Sequence, residues 1–334
     1  MYSDIEKVRK KLEKQHYSLV GETSAVQICR WTKNSLNGKG VCWKEKFYGI
    51  KSHRCCQFSP SVMWCENKCL HCWRPIEMNL GTKLPCVDEP NKIIDGVIEA
   101  RKKLLMGFKG NKKISAKKFE EACNPNMFTF SLSGEPTIYP RLGEIISELR
   151  KRNCITFLVT NGLNSEAIEK LEKENCLPTQ LTLSTNAPNK KLFELWHRST
   201  KKNAWEEFNK TILLMKKLNG KCRRVVRLTL VKKGKDKGKY KDVSNMEDEH
   251  VSEYVSLIKK AEPDFVHVKG FMSVGYARER MGYDKMPWHY EVRAFAEKLI
   301  LELKKEGYNI LGEEKRSCVV LIGKNKKDLN IKKA

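Results

Sequence analysis

A chain of 334 residues, 40% of them hydrophobic, can bury one large core, as a single domain or a domain with extensions. Its 65 Lys and Arg against 40 Asp and Glu leave a net charge of +25; a heat-adapted surface enriches Lys and Glu together, so this excess suggests a polyanionic partner such as nucleic acid. No apolar run is long enough to span a membrane, the opening MYSDIEKVRKKLEKQHY has no signal-peptide core, and thirteen cysteines fit metal ligation better than disulfides, so a cytoplasmic location with no membrane partner is expected.

Residues 1–57 form an N-terminal extension. It holds Cys29, Cys42 and Cys55 at intervals of 13 residues, and on spacing alone such scattered cysteines read as buried packing residues. From residue 58 a strand–helix rhythm begins. A first strand is expected in FSPSVMWC (58–65), then MFTFSL (127–132), ITFLVT (155–160), QLTLST (180–185), RVVRLTLV (224–231) and DFVHVK (264–269). Amphipathic helices are expected between and after them, at 141–152, 204–218 and 289–307, ending in basic residues as helix C-termini prefer. Alternation of this kind gives βαβ units and a parallel sheet, and six strands fall short of the eight of a closed barrel. The predicted fold is therefore α/β, a partial (β/α)6 barrel over 58–322, with a basic C-terminal tail at 323–334. The runs KKGKDKGKYK (232–241) and GKNKKDLNIKK (323–333) read as solvated loop and tail.

In a parallel β/α array, functional groups collect in the loops after the strands. The first such loop, WCENKCLHCWR, places Cys65, Cys69 and Cys72 together, one thiolate short of a closed zinc site or a fully ligated iron–sulfur cubane. His71 is a candidate fourth ligand, but between Cys69 and Cys72 it has little freedom to turn inward; otherwise the open position receives a small molecule. The next loops carry Ser133, Gly134 and Glu135 in SGEPT, Thr160 and Asn161 in TNG, and Ser184 in LSTNAP. Singly these are turn chemistry; in order after successive strands they mark a functional edge.

A Cys-x3-Cys-x2-Cys loop after the first strand of a partial barrel resembles the radical S-adenosylmethionine (SAM) enzymes. The resemblance implies a 4Fe–4S cluster on Cys65, Cys69 and Cys72 whose fourth iron is chelated by SAM. SGEPT resembles that family's Gly-Gly-Glu motif, with Ser133 in place of the first glycine. CWKEKFYGIKSHRC followed by WCxxxCxxCWRP, with RLTLVK (227–232) and VKGFMSVGYARERM (268–281), is similar to the archaeal 4-demethylwyosine synthases of wybutosine biosynthesis. This implies a second 4Fe–4S cluster on Cys29, Cys42 and Cys55, and a carbon–carbon lyase that joins N1-methylguanosine, 3′ of the anticodon of phenylalanine tRNA, to pyruvate. The deoxyadenosyl radical is expected to take hydrogen from the N1-methyl group, and the carbon radical to add to the pyruvate carbonyl. Lys44 matches the family's proposed pyruvate-binding lysine, which either captures the ketoacid as a Schiff base or pairs its carboxylate while pyruvate chelates the open iron of the second cluster. Trp43, Trp64, Trp73 and Tyr276 are candidates to stack an extruded base, with core packing the bland reading of each. The extension is too short for the flavodoxin-like domain of eukaryotic relatives, so an external low-potential electron donor is expected; a monomer is expected as well. Competing readings are another radical SAM RNA modifier such as a methylthiotransferase, an activase for a protein substrate, and a zinc-dependent RNA-binding module without catalysis.

Overall fold

The structure is a computed structural model and describes residues 2–235 and 240–331. Its strands are β1 (Ser18–Val20), β2 (Ser24–Gln27), β3 (Cys55–Ser59), β4 (Met127–Phe130), β5 (Ile155–Thr160), β6 (Gln180–Ser184), β7 (Arg223–Leu230), β8 (Phe265–Gly270), β9 (Asn309–Glu314) and β10 (Val319–Gly323). They form one sheet in the order β1-β2-β3-β4-β5-β6-β7-β8-β10-β9. The six strands β3 to β8 are parallel, neighbour to neighbour. Antiparallel pairs extend both ends, β1 and β2 beside β3, β10 and β9 beside β8. The result is the expected α/β partial barrel, open at its edges. No helix among the described residues is long and apolar enough to cross a membrane.

Three expectations need correction. The first parallel strand runs Cys55–Ser59 rather than 58–65, because Pro60 has no N–H to continue the ladder. The extension is therefore continuous with the barrel: it supplies β1, β2 and the start of β3. The C-terminal run is only partly solvated. Lys324 to Asp328 are exposed, but Leu329 and Ile331 pack on the barrel interior and the Ile331 N–H donates to the Tyr48 carbonyl at 3.2 Å. Residues 236–239 and 332–334 of the two basic runs lie outside the described residues.

Two apolar layers follow from strands buried on both faces. The outer layer packs side chains such as Phe128, Leu158, Leu181 and Val226 against the helices. The inner layer is smaller: Met127, Ile155, Phe157, Val225 and Phe265 meet Trp43, Phe47 and Tyr48 from the extension. Those three come from a six-residue helix, Trp43–Tyr48, closed by Gly49 in the left-handed region at φ 70°. It fills one end of the barrel interior. Cys42 stands at its N-cap, and Cys29 caps the helix Arg30–Leu36 by accepting the Thr32 N–H. Alternation along β3 separates two adjacent thiols: Cys55 joins the inner layer and Cys56 the outer.

Candidate active site

Two cavities open inside the barrel. The first, about 230 Å³, is lined by Cys29, Cys42 and Cys55 together with Trp43 and Lys44. The second, about 470 Å³, is lined by Cys65, Cys69 and Cys72 with Ser133, Gly134, Glu135, Thr160, Asn161 and Ser184. Every candidate cluster ligand, Lys44 and every candidate SAM contact thus borders one of the two, whereas the stacking candidates Trp64 and Tyr276 border neither. The cavities share a wall made of Gln57, Ser131, Val159, Arg227 and Lys269.

The loop after β3 is clamped from three sides. Asn79 Nδ2 donates to the carbonyls of Cys65 and Asn67 at 2.9 and 3.0 Å. The N–H groups of Lys68 and Leu70 donate to the carbonyls of His197 and Trp196, both at 2.9 Å. Arg280 donates to the carbonyls of Leu70, Cys72 and Arg74. Gly275, at φ 55°, brings its backbone so close that a Cβ would stand 2.6 Å from the Trp73 carbonyl oxygen.

SGEPT is stitched to the same loop. Gly134 has φ 72°, and a Cβ there would stand 2.0 Å from the Ser61 carbonyl oxygen, so only glycine fits. The Glu135 N–H donates to the Trp64 carbonyl at 2.7 Å. Its carboxylate accepts from the Thr160 hydroxyl at 2.7 Å, the Thr137 hydroxyl at 2.8 Å and the Asn161 N–H at 2.8 Å. Burial first, and the Glu66 carboxylate second, hold the Glu135 carboxyl above the usual carboxylate range. Ser133, where a glycine was expected, points its hydroxyl at the Met63 sulfur, 3.4 Å away.

Burial raises the thiol pKa at Cys65, Cys69 and Cys72, and pushes Cys42 up to about 12 against the opposing effect of Lys44. Three thiols at each cavity are a donor set of the kind that holds an iron–sulfur cluster. Among the described residues no three His, Cys, Asp or Glu side chains converge closely enough to share one metal ion.

His71 lines the second cavity, with its Nε2 3.2 Å from Asn186 Nδ2, and burial pushes it down to about 4. Sequence reading missed His197, whose Nδ1 lies 3.3 Å from Cys69 Sγ and which burial pushes down to about 3. A histidine in the last turn of a helix carries no signal of that contact. It also missed Arg227 and Lys269, whose one available signal is a cation at an inward-facing position of a largely apolar strand. Of the aromatic candidates, Trp43 and Trp73 line the first and second cavities, while Trp64 is core and borders neither.

Lys44 Nζ donates to Thr129 Oγ1 at 3.2 Å and lies over the Phe157 ring. Cys55 Sγ is 3.4 Å from the same Thr129 hydroxyl. Lys46, two residues on, is instead paired with Glu314 at 3.0 Å.

The radical SAM superfamily model matches residues 60–243, and the wyosine base formation model matches residues 260–324, the segment that supplies Gly275 and Arg280. The chain is 44% identical to the S-adenosyl-L-methionine-dependent tRNA 4-demethylwyosine synthase of Pyrococcus abyssi, over 95% of this chain and 88% of that one. Identity to the Pyrococcus horikoshii enzyme is 45%, over 92% and 86%. A solved structure of TYW1 with a lysine–pyruvate adduct bound superposes with a TM-score of 0.81 at 32% identity, covering 96% of both chains. Membership of the radical SAM superfamily implies SAM and an iron–sulfur cluster as cofactors. The chain belongs to the S-adenosyl-L-methionine-dependent tRNA 4-demethylwyosine synthases, radical SAM enzymes of the wybutosine pathway.

Proposed function

We propose that this chain condenses N1-methylguanosine, 3′ of the anticodon of phenylalanine tRNA, with pyruvate to form the tricyclic 4-demethylwyosine. In this reading it is a carbon–carbon lyase, cytoplasmic and monomeric, fed by a separate low-potential electron donor. It carries two 4Fe–4S clusters, one on Cys65, Cys69 and Cys72 and one on Cys29, Cys42 and Cys55. The observation that carries the reading is the pair of cysteine-lined cavities with a common wall, Lys44 in one and the Glu135 loop in the other. Two cavities in contact suit a reaction that joins two substrates.

The bound cofactors supply a deoxyadenosyl radical able to take hydrogen from the N1-methyl group. The protein supplies position. Ser133, Gly134, Glu135, Thr160, Asn161 and Ser184 present backbone and polar groups to SAM in the second cavity. Lys44 captures the pyruvate carbonyl as an imine with loss of water, which fixes the carbonyl carbon for attack. The lysine–pyruvate adduct in the TYW1 structure supports this role. Its hydrogen-bond partner here is the Thr129 hydroxyl. The +25 surface suits tRNA.

Anaerobically reconstituted protein is expected to hold about eight irons and eight sulfides. Replacing Cys65, Cys69 and Cys72 by Ala should remove half of each and abolish SAM cleavage. Replacing Cys29, Cys42 and Cys55 should remove the other half and spare SAM cleavage. Full iron retention in either triple variant would refute its ligand set.

A further inference from the structure

The wall between the two cavities carries two positive charges with no acid to answer them. Arg227 and Lys269 sit on neighbouring strands β7 and β8, in a register that pairs Arg227 with His267 and Thr229 with Lys269. Alternate strand residues share a face, so these four point together into the barrel interior. Both cations line both cavities. Arg227 Nε is buried without a hydrogen-bond partner, and Lys269 Nζ donates to the Ser317 carbonyl at 2.9 Å. Among the described residues no carboxylate stands within ion-pair distance of either. Glu314, which acts on Lys269 from farther off, is committed to Lys46 at 3.0 Å and to the Ser317 N–H at 2.6 Å.

Burial tells on the whole group. It pushes Lys269 down to about 8 and lowers Arg227. It also drives His267 well down, with Arg227, Arg223, Lys44 and Lys269 all adding to the effect, which places Lys44 in the same electrostatic neighbourhood. Buried charges are normally paired, so an unanswered pair facing a cavity points to an anionic ligand.

We propose that Arg227 and Lys269 form a carboxylate clamp for the α-keto acid, holding it at the junction with its carbonyl carbon toward Lys44. The planar Arg227 fork suits a carboxylate edge, and Lys269 adds a point charge. The carboxylate is bonded directly to the carbonyl carbon, so gripping one orients the other. The proposal rests on the ketoacid reading of Lys44. The rival explanation is that both cations only offset the thiolates of Cys29, Cys42 and Cys55.

Equilibrium dialysis of radiolabelled pyruvate against the reconstituted protein separates the two, with methyl pyruvate as uncharged competitor and borohydride trapping run in parallel. Wild-type protein should bind pyruvate and be displaced at least tenfold less effectively by the ester. Arg227→Met and Lys269→Met should each raise the pyruvate Kd at least tenfold and erase the preference over the ester. Arg227→Lys should recover part of it, and iron content and the cluster spectra should match wild type throughout. Unchanged Kd with altered cluster spectra or iron loss overturns the clamp, as does a wild-type protein that binds the ester as well as the acid. Intact dialysis binding without any trapped adduct overturns the Lys44 imine and leaves the clamp standing.

Discussion

Gly134 shows how tightly single positions are set. Its φ of 72° and the 2.0 Å approach of the Ser61 carbonyl oxygen mean that alanine must both adopt a strained conformation and move backbone. The conformation alone is worth about 1–3 kcal/mol. Gly134→Ala should lower stability by at least that in urea titration and weaken SAM binding, since SGEPT and the cysteine loop move together through the Glu135–Trp64 hydrogen bond. A variant with wild-type stability and SAM affinity would show that the two loops are independent. Cys65, Cys69, Cys72, Glu135 and Asn161 stood out by residue type and place after a strand, whereas Cys29, Cys42, Cys55 and Lys44 stood out only through the family resemblance. Arg227, Lys269 and His197 did not, because their roles come from strand register and from a helix end meeting a loop distant in sequence.

At the scale of elements, the six parallel strands were legible because each is a short apolar run buried on both faces. The antiparallel additions were not. β1 is three residues long and β9, NILGEE, is mostly half-buried or exposed, so neither leaves a clear pattern. The start of β3 was hidden by the apolar FSPSVMW beyond its end, where Pro60 stops the ladder. That strand makes a sharp distinction between two neighbouring thiols. Cys55→Ala should deplete the iron of the upstream cluster, whereas Cys56→Ala should keep full iron and lose about 1 kcal/mol of stability, a typical core substitution. Iron loss in Cys56→Ala with retention in Cys55→Ala would reverse the facing of β3. Helix Trp43–Tyr48 has the larger consequence: by filling the interior from one end it brings Cys42 and Lys44 into the first cavity, which shares a wall with the second.

The whole molecule joins a basic chain to two cavities in the barrel interior. Charge was the first signal in the sequence, and it bears on association rather than fold. Binding of tRNA should weaken linearly in log Kd against log salt, by about 0.9 per phosphate neutralised on duplex regions. A flat dependence between low and physiological salt would place recognition elsewhere than in the +25 surface. The chambers carry the central claim, that two substrates meet across the Arg227–Lys269 wall. The most direct measurement is nucleoside mass analysis of N1-methylguanosine-bearing tRNA after anaerobic incubation with protein, SAM, dithionite and pyruvate labelled with carbon-13 at C2 and C3. Loss of N1-methylguanosine and gain of a tricyclic nucleoside carrying both labelled carbons is the expected result. Unchanged N1-methylguanosine beside active SAM cleavage, or a product without the label, would contradict it.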